Sequence, residues 1–252
     1  MIRRFVERMS RGIILKRRLP AFVGGLSLYV SPDSQLKYLK PGARAFDLPL
    51  LRLARDHVQA NSTVWDVGAN VGVFAFAAAG VAAQGHIVAI EPDMWLASLL
   101  RRSVGVQKQL ACDFTVLCTA ISERNGVGEF TIARRGRASN YLTAAGGWSQ
   151  AGGVRERVHV PTLTLDTLLD CIRPPTFLKV DVEGAEVLVL RGAKRMLQTV
   201  RPSIYIEVGR ENVPQASEIL READYQLFDS TKPIANQEPL EQCVQDTLAR
   251  PC

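Results

Sequence analysis

The chain has 252 residues, 47% hydrophobic and 22% charged, the balance of a soluble globular protein with room for one packed domain and a small appended element. Its five cysteines are scattered, odd in number and without a C-x-x-C pair, which argues against a disulfide framework or a zinc site and fits reduced thiols in a cytoplasmic compartment. The net charge of +6 is local: residues 1–44 hold ten Lys/Arg against Glu7 and Asp33, and the rest is slightly acidic. The basic stripe across the body that a nucleic-acid groove requires is therefore missing, and no nucleic-acid partner is expected.

Residues 1–45 read as a basic N-terminal arm. Ile2, Phe5, Val6 and Met9 recur at helical spacing among arginines, so residues 1–18 are predicted to form a basic amphipathic helix. Such a helix either docks on the body or touches a membrane surface or an acidic substrate. The run Gly12–Leu15 is too short for the apolar stretch of a secretory signal. Pro20, Gly24-Gly25, Pro32 and Pro41-Gly42 then mark short strands and turns.

Residues 46–252 read as the main domain. A helical pattern covers Asp47–Val58, and strands are predicted at Thr63–Val67, His86–Glu91, Phe114–Ile121, Phe177–Asp181 and Ser203–Val208, with helices after most of them. This alternation implies an α/β domain whose mainly parallel sheet is covered by helices on both faces. No Asp, Glu, Lys or Arg occurs between Val67 and Ile90, but the glycines and polar residues there suit a buried β-α-β unit rather than a membrane span. At about 123–160 an insertion with β-like runs at Glu129–Ala133 and Val158–Val160 interrupts the rhythm.

Three motifs carry chemistry. In Asp66-Val67-Gly68-Ala69-Asn70-Val71-Gly72 an apolar strand runs into a glycine turn that opens a helix, where free N–H groups and a missing Cβ suit a closely approaching ligand. Asn70 and Val73 stand where a dinucleotide fingerprint needs glycine, so the ligand should lack a pyrophosphate, with Asp66 free to accept an ammonium. Glu91, before Pro92, ends the second strand and is placed to accept both hydroxyls of a ribose. The third motif is Phe177-Leu178-Lys179-Val180-Asp181-Val182-Glu183-Gly184-Ala185-Glu186. Strand alternation puts Lys179 and Asp181 on one face, and the turn opens at the carboxyl ends of the strands. Glu183 and Glu186 also read as acids at a helix start.

Together DVGANVG, AIEPD, FLKVDVEGAE with its RGA, and YIEV over residues 205–208 resemble the FkbM-type methyltransferases across roughly residues 60–210. The resemblance implies a Rossmann-like domain, S-adenosylmethionine as cofactor and mostly O-methylation, with a sugar, lipid-linked or other small-molecule hydroxyl as acceptor. It implies that Asp66, Gly68, Ala69, Asn70 and Gly72 hold the methionyl portion, Glu91 the ribose, and Asp181 the same site. A nucleic-acid methyltransferase is the second reading; the chain has DVEG where base-modifying enzymes often carry an N/D-P-P-Y/F motif. A non-catalytic nucleoside-binding protein is the third.

For a hydroxyl nucleophile a general base assists transfer, and Asp181, Glu183 and Glu207 are the candidates, with His159 a weaker one. Asp181 and Glu207 show no further ligands beside them, so no metal is expected. The segment Arg134–Arg157 contains five arginines around Ser139–Leu142 and Gly146-Gly147-Trp148. It is expected to form a mobile loop over the strand ends that suits an anionic acceptor, or else a solubilising surface loop.

Overall fold

A computed structural model describes residues 9–108, 110–145 and 152–252. Its centre is a seven-stranded sheet, built from β3 (Thr63–Val67), β4 (His86–Ile90), β5 (Asp113–Leu117), β10 (Phe177–Val180), β11 (Ser203–Glu207), β12 (Tyr225–Asp229) and β13 (Asp246–Pro251), in the order β12-β13-β11-β10-β3-β4-β5. Strands β11, β10, β3, β4 and β5 run parallel. Strand β13 lies antiparallel between β11 and β12. The sheet is mainly parallel, as the strand-helix alternation requires.

Both faces are buried, and strand β3 shows how. Val64 points into one cluster with Ile87 and Phe177, while its neighbours Trp65 and Val67 point into another with Val88, Ile90, Leu178 and Val180. A strand apolar on both faces thus still alternates, with each face meeting its own helices. The first face is covered by α1 (Leu48–His57), α2 (Val73–Val81) and α3 (Met94–Gly105). Behind the second lie α5 (Glu186–Arg191), which follows the short α4 (Leu165–Leu168), and α6 (Val213–Glu222). Among the described residues no helix is long and apolar enough to cross a membrane.

The strand expected over Phe114–Ile121 is two strands. After Leu117 the chain leaves the large sheet, and β6 (Ala120–Ile121) pairs instead with β9 (Val154–Leu163) in a second sheet. That sheet has the order β6-β9-β7-β8, with β7 (Gly126–Ala133) and β8 (Tyr141–Leu142), and its own apolar cluster of Phe130, Ile132, Leu142 and Val160. The described residues of the interruption at 123–160 therefore build a β-layer of their own.

The predicted helix over 1–18 fails at its C-terminal part. Residues 1–8 lie outside the described residues, Gly12 takes φ +75°, and Leu15–Arg18 form strand β1, paired antiparallel with β2 (Ser27–Val30). A left-handed residue ends helical geometry, and hairpin pairing then satisfies the backbone. Leu19, Val23, Leu28 and Val30 are buried in the same cluster as Phe74 of α2.

Candidate active site

The carboxyl ends of β3, β4, β10 and β11 open into one cavity of about 1020 Å³. Asp66, Gly68, Ala69, Asn70, Glu91, Asp181, Glu183 and Glu207 all line it, so three motifs far apart in sequence converge where parallel sheets bind ligands. The volume exceeds what one nucleoside fills, and the far walls come from other elements: Gln35 and Tyr38 before α1, Phe130 and Tyr141 of the second sheet, and Gln245 and Asp246 at β13.

The glycine turn is held from within. Gly68 and Gly72 have φ of +80° and +86°, and Asn70 takes φ +55°. Asn70 pays for its left-handed backbone with its side chain: Oδ1 accepts from the Val71 N–H at 2.8 Å and from Ser34 Oγ at 2.6 Å. The N–H groups of Gly68 and Ala69 both donate to the Ile90 carbonyl at 3.0 Å, and that of Asn70 donates to Glu91 at 2.8 Å. These amides are spent inside the protein, so the expectation that they face a ligand is corrected. Gly72 is corrected too: it does not line the cavity, and a Cβ there would meet Leu100 Cδ2 at 2.4 Å in the core.

Asp66 has an internal ammonium already. Its carboxylate is fully buried, with Oδ1 3.1 Å from Lys179 Nζ and Oδ2 accepting from the Ala75 N–H of α2 at 3.1 Å. Lys179, 2% exposed and opposite Asp66 in the β10–β3 register, reaches Asp181 Oδ2 at 3.1 Å on its other side. Burial works to lower the Lys179 pKa, but the carboxylates of Asp181 and Asp66 outweigh it and hold the ammonium charged. One buried cation thus ties the glycine turn to the third motif.

Glu91 is 5% exposed and receives one backbone N–H on each oxygen, from Asn70 and from Asp93, both at 2.8 Å. Burial raises its pKa to about 8. Asp93 caps α3 by accepting from Trp95 N–H at 2.9 Å, and its other oxygen is held by Arg137 and, at 2.9 Å, by Asn140. Arg137 also donates to Asp33 at 3.1 Å, and Arg155 pairs with the same Asp33 at 2.9 Å. The N-terminal segment, the helix after Glu91 and the second sheet are clamped by these five side chains. No local pattern pairs Asp33 with Arg137 across 104 positions.

At the other end stand the carboxylates. Glu183 is pushed up to about 8 by burial and then by Asp181 and Glu207; Glu207 is raised to about 7 by burial and Asp181. Gln245 donates to Glu207 at 3.3 Å, and Tyr205 Oη donates to Asp246 at 2.6 Å. Tyr205, Gln245 and Asp246 escaped sequence reasoning because β13 returns from the chain's end to pair with β11. Glu186 is apart from this group: it accepts from the Gly184 N–H at 3.0 Å and from Asn212, closing its own turn. His159 is exposed on β9 opposite Glu129 and does not line the cavity, which removes it as a base.

Within Arg134–Arg157, Tyr141–Leu142 and the start of β9 at Val154 join the second sheet, and Arg137 and Arg155 are consumed by Asp33 and Asp93; Gly146-Gly147-Trp148 lie outside the described residues. Residues 66–227 match the methyltransferase FkbM domain. The chain belongs to the FkbM methyltransferase family. The crystal structure of methyltransferase FkbM from Methylobacillus flagellatus KT is similar in fold, with TM-score 0.51 and 19% identity over 77% of this chain. This FkbM-family chain spans 44% of that structure's length. A precorrin-6y C5,15-methyltransferase from Geobacter metallireducens aligns at TM-score 0.46 and 15% identity, over 80% of this chain and 86% of its own. An S-adenosylmethionine-dependent O-methyltransferase from Thermotoga maritima aligns at TM-score 0.44 and 12% identity, over 96% of this chain and 78% of its own. None of the curated proteins matches the chain.

Proposed function

We propose that this protein methylates a hydroxyl group of a neutral, hydroxyl-rich small molecule, sugar or lipid-linked acceptor, with S-adenosylmethionine as donor. One observation carries the reading: Glu91 and the glycine turn share a single cavity with the cluster Asp181, Glu183 and Glu207. The donor's chemistry fits these residues. Each Glu91 oxygen spends one lone pair on a backbone N–H, which leaves both able to accept from a ribose diol. The turn at Gly68–Asn70 lines the cavity beside Asp181, which is about a third exposed and would supply the carboxylate for the methionyl ammonium. When bound, S-adenosylmethionine supplies a methyl group on an already activated sulfonium.

The protein's part is then alignment, exclusion of water and removal of one proton. Glu183 and Glu207 are suited to that proton, because burial and the neighbouring Asp181 carboxylate bring their pKa values to about 8 and about 7. Their carboxylates, Asp246 and the buried Gln35 Oε1, which has no hydrogen-bond partner among the described residues, are all acceptors of hydroxyl protons. A hydroxyl-rich acceptor answers these groups, and an anionic group set directly against the carboxylates would meet repulsion. Purified protein should carry S-adenosylmethionine or its demethylated product, detectable by mass spectrometry. It should transfer labelled methyl to polyols or glycosides in preference to carboxylates or phosphates. Retention of NAD, or transfer confined to anionic acceptors, would overturn the proposal.

A further inference from the structure

The outer surface of the N-terminal segment carries a pattern that methyl transfer does not use. Between Met9 and His57 there are nine Lys/Arg and three Asp. Asp33 is buried against Arg137 and Arg155, while Asp47 and Asp56 are paired with Lys37 and Arg55. Lys40, Arg44 and Arg52 stand exposed beside them. The same stretch holds five of the eight exposed large apolar side chains among the described residues, including Phe22 at 44%, Leu39 at 45% and Leu48 at 39% exposure. A fifth of the chain thus combines most of its exposed apolar groups with its positive charge.

These side chains form one neighbourhood. Leu39 and Lys40 end the turn at Leu36–Leu39, which packs against the turn Gly42–Ala45 that carries Arg44. The Lys37–Asp47 pair fastens the first turn to the start of α1. On α1, Leu48, Arg52 and Arg55 fall at i, i+4 and i+7 on the outer face, and the Arg55 guanidinium lies 5.8 Å from the centre of the Phe22 ring. Lys37, Pro49, Arg52 and Arg55 also line the cavity, so the patch borders its mouth.

We propose that this face docks on an anionic membrane surface. Basic side chains near a bilayer are attracted to its anionic lipids, and apolar side chains among them enter the boundary between headgroups and acyl chains. A phosphate backbone would use the cations but gives exposed Leu39 and Leu48 nothing to bury against, which favours lipid over nucleic acid. The surface goes beyond methyl transfer and does not depend on it. If the proposed reaction holds, a lipid-linked acceptor could enter the cavity with its tail left in the bilayer.

Co-sedimentation of the full chain with vesicles tests the proposal. Vesicles of phosphatidylcholine with phosphatidylglycerol should bind at least about tenfold more tightly than phosphatidylcholine alone, and less tightly as salt rises. Lys40→Glu with Arg44→Glu should reduce partitioning at least about tenfold, at about 1 kcal/mol per basic residue near the surface. Leu39→Asp with Leu48→Asp should reduce it without losing the salt dependence of what remains. Both double variants should melt as the parent does and keep donor affinity by calorimetry, which separates docking from folding and from the methyl-transfer site. Equal partitioning to both vesicle types, no partitioning to either, unchanged partitioning of both variants, or displacement of the protein from vesicles by duplex nucleic acid would each overturn it.

Discussion

Gly68 and Asp181 touch through their backbones: a Cβ at position 68 would stand 1.9 Å from the Asp181 carbonyl oxygen. The glycine turn and the third motif are therefore one object, locked by the absence of a side chain. Gly68 also has φ +80°, where any other residue is strained. Gly68→Ala should cost about 3 kcal/mol or more of stability, from strain and the displaced β10 end together. Urea denaturation checks it. A loss below about 1 kcal/mol would show that the two strand ends move apart freely.

Lys179 is the single ammonium between Asp66 and Asp181. Lys179→Met leaves the buried Asp66 carboxylate uncompensated, and breaking a buried pair from one side costs about 3–5 kcal/mol. Asp66→Asn combined with Lys179→Met should recover a large part of that loss, because the stranded charge is gone. A double-mutant cycle by chemical denaturation measures the coupling; additive losses would contradict the pairing.

Donor binding should depend on pH through Glu91. Its pKa is raised to about 8 by burial, whereas ribose hydroxyls donate best to the ionised carboxylate. Affinity should therefore weaken as pH falls through about 8, and Glu91→Gln should bind about 1.5–3 kcal/mol more weakly above that pH with the dependence flattened. Calorimetry at pH 6 and pH 9 reads both.

Turnover should fall on the acidic side where Glu183 and Glu207 take up protons, at about 8 and about 7. Glu183→Gln should lower kcat with little change in donor affinity and remove the upper part of that limb. Stability moves the other way. A carboxyl whose folded pKa is raised from 4.5 contributes stability that is complete below 4.5 and is lost as pH rises through about 8. Melting of the parent should thus decline between these values more than melting of Glu183→Gln does. A kcat profile identical in the variant would remove Glu183 as the base.

Much of the fold is legible in the chain. Thr63–Val67 appears as read, and the strand read over Ser203–Val208 spans Ser203–Glu207, because a buried strand bounded by glycine, proline or a charged turn has few other conformations. The boundary errors are instructive. Phe114–Ile121 is apolar throughout, and periodicity does not say that Thr119 is where the chain changes sheets. Leu15–Arg18 carries the charge pattern of a surface helix, yet a hairpin partner at Ser27–Val30 outweighs that weak propensity.

The site divides along the same line. Asp66, Gly68, Glu91, Asp181 and Glu183 were visible because each sits within a few residues of a strand end, and parallel topology sends all strand ends to one edge. What each of them does there depended on neighbours in space. Local pattern makes Asp66 a ligand's ammonium acceptor, and Lys179 two residues before Asp181 takes that place through the β3–β10 register. The amides of Gly68 and Ala69 look available from local pattern, but the Ile90 carbonyl beneath them accepts from both. Hydrogen bonds and ion pairs act over about 3 Å whatever the separation in sequence. Local pattern therefore locates the turn, while the register of the sheet and the return of distant segments such as Asp33 and Asp246 assign its partners.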